Sequence, residues 1–462
     1  MPGLESVISL LRQFFPPDLS LSYLKAESVP LFETLEIAAG AMFLALIIGL
    51  LFSLIIGARL PGSRALYALL TTFRSIPDLT LAILCVVLVG LGPAAGILAL
   101  ALFYSAAIGK IFADLFSSAD PGPIEALRAT GATRSMIAFY GLLPLRLKDL
   151  LTYGGYEFES AVRASVIVGA VGAGGIGTEL VGSLNMTDYH RATTLIIMLV
   201  ALVASVDQFV WYVRKHPRLL LVVAAFGAAA AWHHWPHLIV VAHALETFGT
   251  MVPPQLPAEA LRQVPALIGE TLLIALGGTF LAMICALPLG VAAARNVSPT
   301  FISFPVRRML EILRAVPEVV WGLVLVGIAG LGPRVGILAL GLHGAGSLGK
   351  LYAESLENVA SEPVIAMAST GGSTLSIAGF AVLPLAFAPM TVHTLFRFEW
   401  NMRVATIVGM IGAGGIGEAL FNAQQLFFYP QMMAYVLITW GMIMITDAVN
   451  VRLRKYWRVS EV

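Results

Sequence analysis

Charge is scarce in this 462-residue sequence. Asp, Glu, Lys and Arg together make up 12%, against 58% hydrophobic residues, where a soluble domain carries roughly 25% charge. A water-soluble fold of this size could not cover so much apolar material, so a soluble enzyme is excluded and a bilayer is the expected solvent. The mean hydropathy of +0.87 agrees. An excess of one sign is missing as well: the formal net charge is +1, so nothing points to a nucleic-acid partner. Cysteine is nearly absent. Cys85 and Cys285 stand in different apolar segments, and neither a disulfide nor a cysteine metal site is expected. The N-terminal stretch MPGLESVISLLRQFFPPDL carries Glu5 and Arg12, has no continuous apolar core and no small-residue cleavage site, so no cleaved leader is expected.

What the chain does have is itself, twice. Arg74-Ser-Ile-Pro77 matches Arg314-Ala-Val-Pro317, Leu91-Gly-Pro93 matches Leu331-Gly-Pro333, Gly109-Lys110 matches Gly349-Lys350, and Leu143-Pro144 matches Leu383-Pro384. These pairs are all 240 residues apart, as are Glu159 and Glu399, and Arg163 and Arg403. Pro16-Pro17 and Pro253-Pro254 are 237 apart, so a small length difference lies between the first and second spans of the two copies. Two joined homologous halves predict a membrane protein with an internal pseudo-two-fold.

Apolar runs predict spans at about 31–57, 77–92, 95–116, 155–181 and 192–213, repeated at about 266–293, 317–332, 335–353, 395–421 and 432–450. The segment 155–181 carries Glu157, Glu159, Arg163 and many glycines, so it must face protein or water rather than lipid. One run, 219–235, has no partner in the first half. Arg59, Arg64 and Arg74, then Arg128, Arg134, Arg146 and Lys148, then Arg214, Lys215 and Arg218 mark the loops expected on the cytoplasmic side. A parallel second copy then needs one extra crossing, which 219–235 supplies. The expectation is an all-α polytopic protein of about 11 transmembrane helices in two parallel repeats, N-terminus outside and C-terminus cytoplasmic. The first repeat is residues 1–214, a linker with the extra span 215–245, and the second repeat 246–462.

Two motifs resemble nucleotide sites. VGAVGAGGIGTEL and VGMIGAGGIGEAL contain Gly-x-Gly-x-x-Gly at Gly172, Gly174 and Gly177, and at Gly412, Gly414 and Gly417. That spacing needs a preceding strand, a following helix and an acid about twenty residues on. Here it lies within an apolar membrane segment, where repeated small residues let helices bend or approach closely. Gly172, Gly174, Gly175 and Gly177, with Gly412, Gly414, Gly415 and Gly417, are therefore candidates for a gate at which helices flex. GAGSLGKL (Gly344–Leu351) lacks the Ser or Thr that a phosphate-cradling loop requires. The chain thus carries no ATPase machinery of its own. WHHWPHLIVVAH (Trp232–His243) gathers histidines between tryptophans, which reads as an interfacial belt rather than a metal site.

PGPIEALRATGATRSMIAFYGLLP, with Glu125-Ala126-Leu127, Gly131 and Leu143-Pro144, resembles the Glu-Ala-Ala…Gly…Leu-Pro coupling loop of ABC importer permeases. YEFESAVRASVIVGAVGAGGIG and FRFEWNMRVATIVGMIGAGGIG, with Arg-x-x-Pro and Leu-Gly-Pro…Gly-Ile-Leu in each half, resemble the phosphonate-transport branch of that family, over nearly all of both halves. The resemblance implies the type I ABC importer transmembrane-domain fold and two permease copies fused in one chain of the bacterial inner membrane. It implies two copies of a cytoplasmic ATPase subunit, which would bind ATP and Mg, an extracytoplasmic substrate-binding protein, surrounding membrane lipid, and no cofactor in this chain. The coupling loops fall at about 120–147 and 360–387. The second keeps Gly371, Leu383 and Pro384 but has Ile365 where the first has Glu125, so unequal coupling is expected. The implied cargo is phosphonate or a related phosphorus oxyanion: phosphite, hypophosphite or phosphate.

Glu159 and Arg163, like Glu399 and Arg403, are four apart and so share a helix face. Two roles stay open. Each Glu neutralises its Arg so that burial is tolerable, or the arginines line the translocation pathway and meet an oxyanion in passing. The arginines of Arg74-x-x-Pro77 and Arg314-x-x-Pro317 read first as anchors at the cytoplasmic interface, with an inner gate as the alternative. Two other functions fit the composition: an importer for another solute such as methionine, and a secondary transporter with parallel repeats. The latter needs intramembrane acids free to bind ions, whereas Glu159 and Glu399 each carry an Arg one turn away.

Overall fold

The computed structural model describes residues 13–216, 219–234 and 241–457. Every regular element among them is helical. Contacts divide the chain between Val252 and Pro253 into two units.

In the first unit, α1 (Leu21–Gly57) is followed by α2 (Ser63–Arg74), α3 (Asp78–Val89) and α4 (Pro93–Ser117). Then come α5 (Pro121–Ala129), α6 (Leu143–Val168), α7 (Ile176–Asn185), α8 (Tyr189–Lys215), α9 (Leu219–His233) and α10 (Val241–Met251). The second unit runs through α11 (Ala258–Ala293), α12 (Thr300–Ala315), α13 (Glu318–Ala329) and α14 (Pro333–Glu357). It ends with α15 (Ser361–Ser369), α16 (Leu383–Val408), α17 (Gly415–Gln425) and α18 (Tyr429–Trp457). Proline marks several starts: Pro77 and Pro317 precede α3 and α13, and Pro93 and Pro333 open α4 and α14. Its fixed φ suits a first turn, and its missing N–H is not needed there.

Six helical stretches are long and apolar enough to cross a bilayer, and nine are if each of three sharply bent pairs counts as one span. The expected eleven also require α9, which at 15 residues is short of the about 20 a span needs, and α14, which is 25 residues long. The bends are large: 90° between α2 and α3, 84° between α12 and α13, and 58° between the helical stretch Arg134–Ala173 and α7. In α2 and α12, Leu70, Ser303 and Leu310 are the buried residues. Each of these helices therefore keeps one narrow face against protein and the rest outward.

Small residues set the packing within each unit. A Cβ on Gly49 of α1 would stand 2.9 Å from Ile108 Cγ2 of α4, and one on Gly278 of α11 would stand 2.6 Å from Leu340 Cβ of α14. The backbones of α1 and α4, and of α11 and α14, come that close because no side chain intervenes. The apolar α9 packs along α1, where a Cβ on Gly227 would meet the Ala39 carbonyl oxygen at 2.7 Å. Gly227 thus lets α9 pack closely on α1 within the first unit.

Candidate coupling and translocation site

The first candidate coupling helix, α5, is built by its boundaries. Asp120 caps it, Oδ1 accepting from the Gly122 N–H at 3.0 Å, and Pro121 and Pro123 occupy its first turn. Ile124 and Leu127 are half-buried and turn towards Gly141, while Glu125, Ala126 and Arg128 are exposed. Gly131, at φ +82°, ends the helix and reverses the chain. A short helical turn (Arg134–Met136) and a π-helical turn (Ile137–Leu142) lead to Leu143 and the exposed Pro144, which open α6.

The second unit repeats this form with α15, Gly371 at φ +80°, a π turn at Ala378–Val382, and Leu383-Pro384 opening α16. It differs in two respects. Ala360 stands at the N-cap and offers no side-chain acceptor, and Ile365, 62% exposed, occupies the place that Glu125 holds in α5. A side-chain cap contributes about 1 kcal/mol to a helix, so α15 has lost both a local restraint and a charge.

The repeated glycines make one turn, built twice. Gly172, Gly174 and Gly175 have φ of +94°, +86° and +74°; Gly412, Gly414 and Gly415 have +108°, +95° and +74°. Only glycine adopts such values freely. The turn ends α6 and α16 in a π-helical segment and starts α7 and α17. Gly177 and Gly417 lie against the carbonyl oxygens of Val166 and Thr406, so close that no Cβ fits. Each turn is pinned to its neighbour, since Gly92 N–H donates to Gly172 O and Gly332 N–H to Gly412 O, both at 2.9 Å.

A second restraint on this turn was missed in the sequence. Glu33 and Thr34 on α1 accept hydrogen bonds from the N–H groups of Gly175 (3.3 Å) and Ile176 (2.8 Å). Glu270 and Thr271 on α11 do the same for Gly415 (2.8 Å) and Ile416 (3.0 Å). In both units a carboxylate and a hydroxyl from the first long helix cap the helix that follows the glycines, where the dipole favours a negative group. The signal was present: Glu-Thr-Leu occurs at 33–35 and 270–272, offset by 237, like the diprolines.

Both Glu–Arg pairs form. Glu159 accepts from Arg163 in the first unit. In the second, Arg403 donates to Glu399 at 3.3 Å and to Asp447 of α18 at 2.8 Å, and Arg454 of α18 donates to the other Glu399 oxygen at 2.8 Å. Asp447 and Arg454 were missed; their first-half counterparts, Asp207 and Arg214, are also 240 residues earlier. Glu399 and Arg403 are therefore engaged on two sides, with both side chains 11% exposed against 18% and 26% for Glu159 and Arg163.

A buried polar cluster in the second unit is built from residues that the first unit does not share. Glu318, first residue of α13, accepts from Trp400 Nε1 at 2.9 Å and from Arg397 Nη2 at 3.4 Å, and His343 Nε2 is 3.2 Å away. Beside it, Asn401 donates to Thr279 Oγ1 at 2.9 Å. The first-half residues at those four positions are Asp78, Glu157, Phe103 and Ser160, which cannot reproduce the cluster.

The motifs that resemble nucleotide sites have other uses. GAGSLGKL lies in the interior of α14, where Gly344 approaches Ala282 and Gly349 approaches Leu310. Lys350 faces Glu354 at 3.7 Å. Of the histidine run, His234 Nε2 is 3.5 Å from Glu36 Oε2, and residues 235–240 lie outside the described part.

Bent apolar helices long enough to cross a bilayer, a duplicated exposed helix on a reversing loop, and paired charges within the long helices describe a multi-pass membrane protein built twice over. The sequence matches the family described as binding-protein-dependent transport system inner membrane component over residues 38–218 and again over 286–459. It is 30% identical over 458 residues to the phosphate-import permease protein PhnE of Mycolicibacterium smegmatis, covering 91% of this chain and 83% of that one. It is 36% identical over 190 residues to the phosphite transport system permease protein PtxC of Stutzerimonas stutzeri, covering 41% and 69%. A solved chain of the inward-facing MetNI methionine ABC transporter is similar over 44% of this chain and all of its own length, at 16% identity and a TM-score of 0.41.

This chain belongs to the binding-protein-dependent permease family, with the family domain present twice. It is a permease subunit of an ABC importer. Membership implies a separate ATPase and a substrate-binding protein as partners.

Proposed function

We propose that this chain supplies both halves of the translocation pathway of an ATP-driven importer for a phosphorus oxyanion such as phosphonate, phosphite, hypophosphite or phosphate. One observation carries the reading: the likeness to the phosphate-import permease runs through 458 residues, both repeats and the junction between them. Residues 1–214 and 246–462 act as the two permease copies, and 215–245 joins them.

In this reading α5 and α15 are the coupling helices, each docking on one copy of a cytoplasmic ATPase that holds ATP and Mg. Glu125 and Ala126 offer the contact in α5. Gly131, Leu143 and Pro144, with Gly371, Leu383 and Pro384, make each loop a stiff lever. Arg163 is the pathway arginine more open to an anion, because Arg403 is already held by two carboxylates. The glycine turns close the pathway between α6 and α7 and between α16 and α17. The N-terminus lies outside and the C-terminus in the cytoplasm of a bacterial inner membrane.

The test is purification from membranes with the ATPase and the binding protein co-expressed, followed by a measurement of what the binding protein binds. The expected result is a complex containing the ATPase, and a binding protein that takes a phosphorus oxyanion. A binding protein selective for methionine would reassign the cargo.

A further inference from the structure

We infer that the first unit holds a cytoplasmic phosphate-binding site between the coupling helix and the membrane helices, where the second unit closes the same place with a carboxylate of its own. The inference rests on the orientation proposed above.

A cavity of about 630 Å³ lies under α5. Apolar side chains from the ends of α1 and α4 and from the π turn form its walls, Phe116, Ile137 and Leu142 among them. Three cations line it, Arg59, Arg128 and Arg134, against one carboxylate, Glu125. Arg134 Nη1 donates to the Arg59 carbonyl at 2.9 Å, which ties the loop to the end of α1. The side chains of Arg59 and Arg128 form no ion pair among the described residues. The three guanidinium groups are exposed to solvent and converge on one apolar wall, so an anion seated among them would be attracted by all three.

The internal repeat says which anion chemistry is missing. In the second unit Glu357 accepts from Arg295 N–H at 2.6 Å, at the end of α11, and pairs with Arg307. The residue 240 positions earlier is Ser117, which lines the first-unit cavity. Conversely, Arg128 and Arg134 have Ala368 and Thr374 as counterparts. Tyr67 stands where the second unit has Arg307, and Glu125 where it has Ile365, so across these positions the first unit exchanges a closed Arg–Glu pair for Arg128, Arg134 and Glu125 and is one charge more positive. Guanidinium forks match a phosphate group in particular. The phosphate arrives either as the headgroup of an anionic lipid, since basic pockets on the cytoplasmic side bind such headgroups, or as a free anion in the cytoplasm. Bound there, it would strap the coupling helix to the bundle and alter its stroke.

Equilibrium dialysis of labelled inorganic phosphate against the full-length chain in nanodiscs, without ATP, tests this. One set of discs contains phosphatidylcholine alone, the other about one-third phosphatidylglycerol. Saturable binding weakened at least about tenfold by Arg59→Gln and by Arg128→Gln, and weakened less by Arg59→Lys and Arg128→Lys, which keep the charge but not the fork, is expected in phosphatidylcholine. If that component persists in phosphatidylglycerol the ligand is the free anion; if it vanishes the ligand is the lipid headgroup. Phosphate bound along the transport pathway would respond to Arg163→Gln instead, so loss of the proposed cargo and loss of this site are separable. Binding unchanged by both Gln variants in both kinds of disc, or absent throughout, overturns the proposal.

Discussion

Arg397 and the turn glycines make opposite demands on their surroundings. Arg397 of α16 is a buried cation whose charge is met by Glu318 of α13. Removing one partner of a buried pair leaves the other charge uncompensated and costs about 3–5 kcal/mol. Arg397→Ala should therefore lower the unfolding midpoint of the purified chain, and Glu318→Gln in the same background should recover part of the loss. An additive double variant would show that the two do not interact. Gly174 and Gly414 demand empty space: their φ values are +86° and +95°, and a Cβ at either would press on the Glu33 or Glu270 carboxylate. Gly174→Leu and Gly414→Leu are each expected to cut transport by tenfold or more while the ATPase still co-purifies, and to do so alike. Wild-type uptake in either variant would deny the turns a part in the pathway.

Elements were legible in the sequence where hydropathy alone sets them. The long runs of α1, α4, α8, α11 and α18 are apolar enough that length and composition locate them. Direction was not legible. The 90° bend between α2 and α3 follows from Pro77 and from an outward-facing α2, and hydropathy carries no information about angle. The carboxylate caps of α7 and α17 were hidden because Glu33 and Glu270 sit within apolar runs, and their partners lie 142 and 145 residues away. The Glu318 cluster was hidden because the first half does not repeat it. The two exposed loops proposed to couple were readable as elements, since α5 and α15 fall within the segments marked out by their prolines and glycines. The cap on α5 and its absence from α15 sharpen the expectation of unequal coupling. Glu125→Ala should reduce ATP-coupled uptake several-fold, and Ile365→Ala by less than twofold, measured side by side in proteoliposomes. Equal effects would mean that both loops couple alike.

Over the whole molecule, a second copy parallel to the first must start on the same side of the bilayer, so the proposed topology has an odd number of crossings. Replacing Cys85 and Cys285 and then introducing Gly3→Cys or Ser460→Cys would place single labels near the two ends. Position 3 should react with an impermeant maleimide from outside intact cells, and position 460 after the membrane is opened. Labelling of both from one side would mean an even count and would remove the role given to 219–235. The central claim is that this one chain forms the whole membrane pathway and draws its power from ATP hydrolysed elsewhere. It is tested most directly by uptake of radiolabelled phosphate, phosphite and a phosphonate into proteoliposomes containing this chain as the sole membrane subunit, with the ATPase and the binding protein supplied. The expected result is uptake of at least one of them that requires ATP and both partners together. Uptake by the chain alone, driven by an ion gradient and indifferent to ATP, would contradict it.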